Sequence, residues 1–114
     1  MAILEKKQVA RFFPRIDSQV QFRYQFRGQP DFESAVSSDI SCGGLRFSSD
    51  RFIPTSTPVV LEINLLNRVL KPVGRVAWSS PLPHSYRNQM GIQFMEFDVL
   101  EREYLEDFVD RQLS

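Results

Sequence analysis

Two arginines at a fixed spacing are the first residues of this chain that could do chemistry. Residues 11–15, with the sequence RFFPR, place Arg11 and Arg15 four positions apart, and Pro14 keeps the stretch out of a helix. A guanidinium can bind phosphate, or the O6 and N7 edge of guanine, through two parallel N–H donors. This segment therefore predicts a site for an anion or for a guanine base.

A second segment supplies complementary groups. Residues 39–44, DISCGG, combine the carboxylate of Asp39 and the hydroxyl of Ser41 with Gly43 and Gly44, which lack side chains. A carboxylate can accept from guanine N–H groups, and bare backbone gives room for close approach. Together the two segments match what an anionic guanine nucleotide requires of a receptor.

The composition predicts one domain, residues 1–114. The chain has 114 residues, of which 42% are apolar, so it can bury one core and is too short for two comfortable ones. A formal net charge of zero argues against a protein that coats DNA, because such binding neutralises many phosphates at once. The N-terminal segment lacks the apolar core of a signal peptide, and no apolar run approaches the roughly 20 residues of a spanning helix, so we expect a cytoplasmic protein.

Metal, cofactor and catalytic chemistry are not predicted. One cysteine, Cys42, and one histidine, His84, cannot form an internal disulfide or furnish a structural zinc site. No serine, cysteine or carboxylate pair lies in a recognisable catalytic motif. The chain is therefore expected to bind rather than to catalyse.

The order of elements predicts strands followed by one helix. Apolar and polar residues alternate strictly over 20–26, which is typical of a half-buried strand, and further strands are predicted at 32–38, 44–48, 59–65, 69–78 and 90–95. Residues 79–85 are predicted as a long loop. Six strands with aromatic-rich faces favour a small closed antiparallel β-barrel, with an open sandwich as the alternative. The barrel would span 17–97, after a flexible arm at 1–16.

A C-terminal helix is predicted over residues 98–112. Asp98 is typical of an N-cap, and Glu101, three residues later, would complete a capping box. An apolar stripe at helical spacing is formed by Leu100, Tyr104, Leu105, Phe108 and Val109. We expect the helix to cover one opening or face of the sheet.

These motifs resemble those of a known family. RFFPR, followed by Asp39-x-Ser41-x-x-Gly44 at the start of a strand, resembles the paired RxxxR and D/NxSxxG signatures of PilZ domains, which are receptors for the bacterial second messenger cyclic di-GMP. The GRVAW run at 74–78 and MGIQF at 90–94 are similar to the family's later strands. The resemblance covers nearly the whole chain and implies an all-β fold, a six-stranded antiparallel barrel with a C-terminal helix.

The resemblance also implies which residues contact the nucleotide. Arg11 and Arg15 match the motif arginines, Asp39 matches the carboxylate that accepts from guanine, Ser41 matches the phosphate-donating hydroxyl, and Gly44 gives backbone access.

Three further positions bear on the ligand. Gly43 is either part of the site or a tight bend, and Trp78 either packs in the barrel wall or stacks on a base. Many family members carry an arginine where this chain has Ala10, and its loss favours one bound nucleotide over an intercalated pair.

Three functions remain open at this point. The first is a cyclic di-GMP receptor that signals to an unidentified effector protein in motility, exopolysaccharide production or a related process. The second is a PilZ-like adaptor that binds no nucleotide and works through protein contacts. The third, a small-barrel binder of single-stranded nucleic acid, is disfavoured by the neutral overall charge.

Overall fold

Eight antiparallel strands and one helix make up residues 14–113, the part of the chain that the computed structural model describes. In chain order the elements are β1 Gln21–Phe26, β2 Glu33–Val36, β3 Asp39–Ser41, β4 Gly44–Ser49, β5 Pro58–Leu65, β6 Arg68–Leu70, β7 Val73–Pro81, β8 Asn88–Glu96 and helix α1 Val99–Leu113. The predicted all-β class with a C-terminal helix is confirmed.

The strands form one sheet that is rolled but not closed. Neighbours follow the order β2-β1-β5-β7-β8-β4-β3, and β6 pairs with β5 beside this path. The two end strands, β2 and β3, are joined by residues 37 and 38 alone, so the chain itself brings the ends of the sheet together. No ladder pairs β2 with β3 within residues 14–113, so the closed barrel expected from the sequence is replaced by an open sheet of eight strands.

The strand count exceeds six because two short segments pair back on their neighbours. Residues 39–41 of the DISCGG segment form β3, which pairs with β4 in a hairpin. Residues 68–70 return along β5 through a turn in which Leu66 has a φ of 52°.

Alternation along each strand separates a core face from an outer face. In β1, Phe22, Tyr24 and Phe26 are buried. Phe47 of β4 meets Phe22 edge to face, with ring centroids 5.1 Å apart, an arrangement worth about 0.5–1.5 kcal/mol beyond the buried area. A shift of the strand register by one residue would expose these rings to solvent. The core therefore fixes the register, and with it the residues that lie on the outer face.

The predicted loop at 79–85 is partly strand. Strand β7 continues to Pro81, and Ser79 pairs with Met90 before the chain turns. The β5 ladder stops at Arg75, and the Val76 N–H and carbonyl bond to Thr57 and Ser56, so the far side of β7 lacks a partner among the described strands beyond Val76. Proline is tolerated on such an edge because its missing N–H has no strand partner to satisfy.

Helix α1 packs on the sheet through Leu105, Phe108 and Val109, all of which are buried. Tyr104 lies at the margin, and its hydroxyl donates to the Leu65 carbonyl at 3.4 Å. Leu100, predicted as part of the apolar stripe, is 63% exposed.

The helix begins with the predicted N-cap but without the predicted box. Asp98 Oδ1 accepts from the N–H groups of Leu100 and Glu101 at 3.0 and 3.2 Å. The Glu101 carboxylate does not accept from the Asp98 N–H, as a capping box would require. It accepts instead from the Lys71 N–H at 2.9 Å, which ties the helix to the β6–β7 connection.

Candidate functional site

The DISCGG segment is a tight hairpin held by its own serine. Ser41 and Gly44 are paired across β3 and β4, and Cys42 and Gly43 form the turn. Ser41 Oγ accepts from the Gly43 N–H at 3.1 Å and donates to the Gly44 carbonyl at 3.3 Å. The Gly43 carbonyl in turn accepts from the Phe94 N–H at 3.0 Å. The hydroxyl predicted to meet phosphate is thus buried and serves the turn in this structure.

Asp39 lies between two arginines. Its Oδ1 accepts from Arg15 Nη1 at 2.8 Å, and its Oδ2 accepts from Arg46 Nε at 2.6 Å and from Arg46 Nη2. The Asp39 side chain is 2% exposed, whereas those of Arg15 and Arg46 are 46% and 39% exposed. The carboxylate is therefore buried beneath two guanidinium groups that reach the solvent.

Backbone pairing holds Arg15 in this place. Ile16 exchanges two backbone hydrogen bonds with Ile40, at 3.0 and 3.1 Å, and its side chain is buried. This antiparallel bridge lies on the edge of β3 opposite to β4. The second motif arginine is thus fixed beside the carboxylate of the other motif. Arg11 lies outside the described residues.

Sequence reasoning missed Arg46. It is paired with Asp39 across the hairpin, seven positions later in the chain. The hydrogen bond to Asp39 is the main cause that raises the pKa of Arg46 above its usual value. The exposed Asp17 acts on Arg46 in the same direction. The two-residue turn fixes the register of the hairpin, so a hairpin prediction would have paired positions 39 and 46.

Strand register places the motif residues in two parallel rows on the outer face. The Asp39 row runs across β3, β4, β8 and β7 and consists of Asp39, Arg46, Gly91 and Trp78. The Ser41 row runs beside it and consists of Ser41, Gly44, Gln93 and Arg75. Each row contains one glycine near its middle, and both glycines are buried.

Close packing requires both glycines. A Cβ on Gly44 would lie 2.0 Å from the Ile92 carbonyl oxygen, and a Cβ on Gly91 would lie 2.3 Å from Trp78 Nε1. The indole of Trp78 thus lies against Gly91. Trp78 reaches the outer face because a bulge follows Val76, and without it the strict alternation of β7 would turn the indole inward.

Three further features of residues 14–113 concern metal binding, membrane spans and the cysteine. No cluster of three or more histidine, cysteine or acidic side chains that could hold a metal occurs in residues 14–113. Within the same residues no helix has both the length and the apolar character needed to cross a membrane. Burial raises the pKa of the Cys42 thiol to about 11, which suppresses the thiolate that a nucleophile would need.

The fold and the site define a small all-β domain in which an arginine that precedes the first strand meets a hairpin carboxylate. The chain belongs to the PilZ domain family, whose pattern matches residues 10–111. PilZ domains are in general receptors for cyclic di-GMP and are regulatory rather than catalytic. A comparison with curated proteins finds no significant match.

Solved structures agree on the fold. The inhibitor of motility MotI/DgrA from Bacillus subtilis matches with a TM-score of 0.77 and 19% identity, over 89% of this chain and 50% of that one. The PilZ domain of CeSA from a cellulose synthesizing bacterium matches with a TM-score of 0.60 and 20% identity, over 88% and 97%. MrkH of K. pneumonia in its apo state gives 0.71 and 15%, over 90% and 50%. The chain thus spans about half the length of MotI and MrkH.

Proposed function

We propose that this protein binds cyclic di-GMP on the outer face of the sheet, through Arg11, Arg15, Asp39, Ser41 and Gly44, and passes the signal to an effector protein. The observation that carries the proposal is the contact between Arg15 and Asp39, which joins the two motifs in one place. Family membership supplies the ligand class. Trp78, which is exposed in part and packs against Gly91, is suited to stack on a guanine.

The length of chain between Arg11 and Ile16 allows Arg11 to take part. The backbone bridge at Ile16 anchors the chain five residues later, and five extended residues span at most about 17 Å. The guanidinium of Arg11 can therefore reach a ligand that lies against Arg15.

The role of Asp39 follows from how it is held. Both of its oxygens already accept from guanidinium groups, and the side chain is 2% exposed. A guanine can therefore reach the carboxylate only if Arg15 moves aside. If Arg15 stays, Asp39 acts by aiming Arg15 and Arg46 at the ligand. Loss of either contribution weakens binding, because a charge-assisted hydrogen bond contributes about 1.5–3 kcal/mol.

Calorimetric titration with cyclic di-GMP tests the proposal. We expect heat from the parent protein and affinity at least tenfold weaker in Arg15→Ala and in Asp39→Asn. Arg23→Ala is the matched control, since Arg23 also pairs with a carboxylate, Glu62, but does so on β1 and β5. Silence from the parent, or equal losses in Arg23→Ala and Arg15→Ala, would overturn the proposal.

A combined variant separates the two roles of Asp39. If Asp39 only positions arginines, Asp39→Asn adds no further loss of affinity to a protein that already carries Arg15→Ala and Arg46→Ala. If Asp39 contacts the base, its loss adds in free energy in that background too.

An adaptor that binds no nucleotide is the second candidate. One observation favours it: Asp39 and Ser41 are already satisfied by protein partners. A parent protein that is folded by circular dichroism but gives no heat with cyclic di-GMP would establish this candidate over the first.

A further inference from the structure

The Ser41 row extends away from the motif residues and ends in a cation. Gly44 of β4 is paired with Gln93 of β8, and Gln93 is paired with Arg75 of β7. The Arg75 side chain lies across the strand boundary, because its Nε and Nη2 both donate to Gln93 Oε1, at 3.2 and 3.1 Å. Two bonds to one acceptor fix the orientation of the guanidinium while they leave its Nη1 group for another acceptor.

The partner of Arg75 is neutral, as is that of Arg87, which donates to the Ser48 carbonyl. Arg15, Arg46, Arg23 and Arg51 each pair with a carboxylate. Arg75 donates to a neutral amide oxygen, so its positive charge is held in position without being compensated by that partner. A guanidinium in this condition is suited to attract an anion.

The charges at and beside the motif residues cancel, so the uncompensated charge of Arg75 matters for an anionic ligand. Arg15 and Arg46 share the negative charge of Asp39, and Asp17 also acts on Arg46. The four side chains together are formally neutral. An anionic ligand on this face therefore gains long-range attraction from Arg75 that the described motif residues do not provide.

We propose that Arg75, oriented by Gln93, is a second anion subsite of the same face and contacts the far phosphate of a ligand with two phosphates. The inference rests on the proposed function, because it assumes that a dinucleotide binds beside Arg15 and Arg46. Arg46 and Arg75 lie on one surface, two strands apart, which is about 10 Å across the strands, and two residues apart along them, which is about 7 Å. Their long side chains allow one ligand to touch both.

The experiment compares cyclic di-GMP affinity in the parent and in Arg75→Gln over a series of salt concentrations. We expect Arg75→Gln to weaken binding by about tenfold at low salt and this difference to shrink as the salt concentration rises, because salt screens the attraction between an exposed guanidinium and a phosphate. Arg68→Gln is the control: Arg68 is exposed, lies over the Tyr104 ring on another part of the surface, and its replacement removes the same charge.

A second pair of variants tests the role of Gln93. As a positioning residue, Gln93 should matter only through Arg75. We therefore expect Gln93→Leu to weaken binding several-fold in the parent and to cause no further loss in the Arg75→Gln background. Additive losses would show that Gln93 does not act by orienting Arg75.

The outcomes separate this inference from the function on which it rests. A parent that does not bind cyclic di-GMP refutes the proposed function, and the subsite with it. A parent that binds, with Arg75→Gln within twofold of it or no weaker than Arg68→Gln, leaves the function standing and refutes the subsite. A loss of affinity that is the same at low and at high salt also refutes the subsite, because salt must screen a contact between exposed charges.

Discussion

Replacement of Asp39 by asparagine should destabilise the protein, whether or not a ligand binds. Asparagine keeps the size of the side chain and removes its charge, so the change isolates the electrostatic contribution. The buried carboxylate accepts from Arg15 and from two nitrogens of Arg46. Asparagine can offer a single acceptor oxygen in place of two, and one guanidinium then loses its partner.

The expected loss in the free energy of unfolding lies between two limits. Breaking a fully buried ion pair costs about 3–5 kcal/mol, and exposed pairs contribute about 0–1 kcal/mol. Asp39 is 2% exposed, but the side chains of Arg15 and Arg46 are 46% and 39% exposed and can regain water. We therefore expect the free energy of unfolding to fall by about 2 kcal/mol, which lowers Tm by about 8 °C in a domain of this size.

Urea unfolding followed by circular dichroism measures this loss. Glu62→Gln is the matched control, because Glu62 also accepts from an arginine, Arg23, but both side chains reach the solvent, at 25% and 54% exposure. We expect about 0.5 kcal/mol for the control. If Asp39→Asn lost less than about 0.5 kcal/mol, or no more than Glu62→Gln, the argument from burial would be wrong.

Three other predictions follow from particular contacts. Gly44→Ala should lose about 2–3 kcal/mol in urea unfolding, because its methyl group would lie 2.0 Å from the Ile92 carbonyl oxygen, a backbone atom that cannot rotate away; a loss below about 0.5 kcal/mol would contradict the close approach. Gly91→Ala should shift the fluorescence of Trp78, the one tryptophan of the chain, while costing less stability than Gly44→Ala, since the obstructing atom, 2.3 Å away, belongs to a side chain that can move; unchanged emission would show that the indole does not lie on Gly91. Burial raises the pKa of Cys42 from 9.0 to about 11, so the native thiol holds its proton more tightly than the unfolded one, and this contribution to stability is complete below pH 9 and is lost as the pH rises through 11. Cys42→Ala should lack that part of the decline, and equal pH profiles for the two proteins would refute it.

Local patterns were enough to predict the class of the fold. The alternation over 20–26 and the cap at Asp98 are each determined by a few neighbouring residues, and both elements occur close to where they were predicted. Closure of the barrel was not predictable in this way. Whether β2 and β3 pair depends on how residues 37 and 38 turn the chain between them. No periodicity of the sequence predicts the geometry of that turn.

The features of the site that the sequence analysis did not predict all depend on contacts between strands. Arg46 becomes a partner of Asp39 through hairpin register, and Gln93 becomes a partner of Arg75 through pairing between β7 and β8. The bulge after Val76 decides the side on which Trp78 lies. Each of these facts depends on the alignment of two strands, whereas motif spacing concerns one strand at a time.

The second motif has a structural explanation that does not involve a ligand. Gly44 is required by the close approach of β4 to Ile92, Ser41 closes the turn through the Gly43 N–H, and Asp39 is neutralised by arginines. The same three residues would therefore be needed in a protein that binds no nucleotide, and their presence alone does not distinguish a receptor from an adaptor. The distinction rests on groups that the fold itself does not satisfy. Arg75, held by a neutral amide, is such a group, and if it contacts a phosphate as proposed, its charge serves ligand binding and adds little to folding.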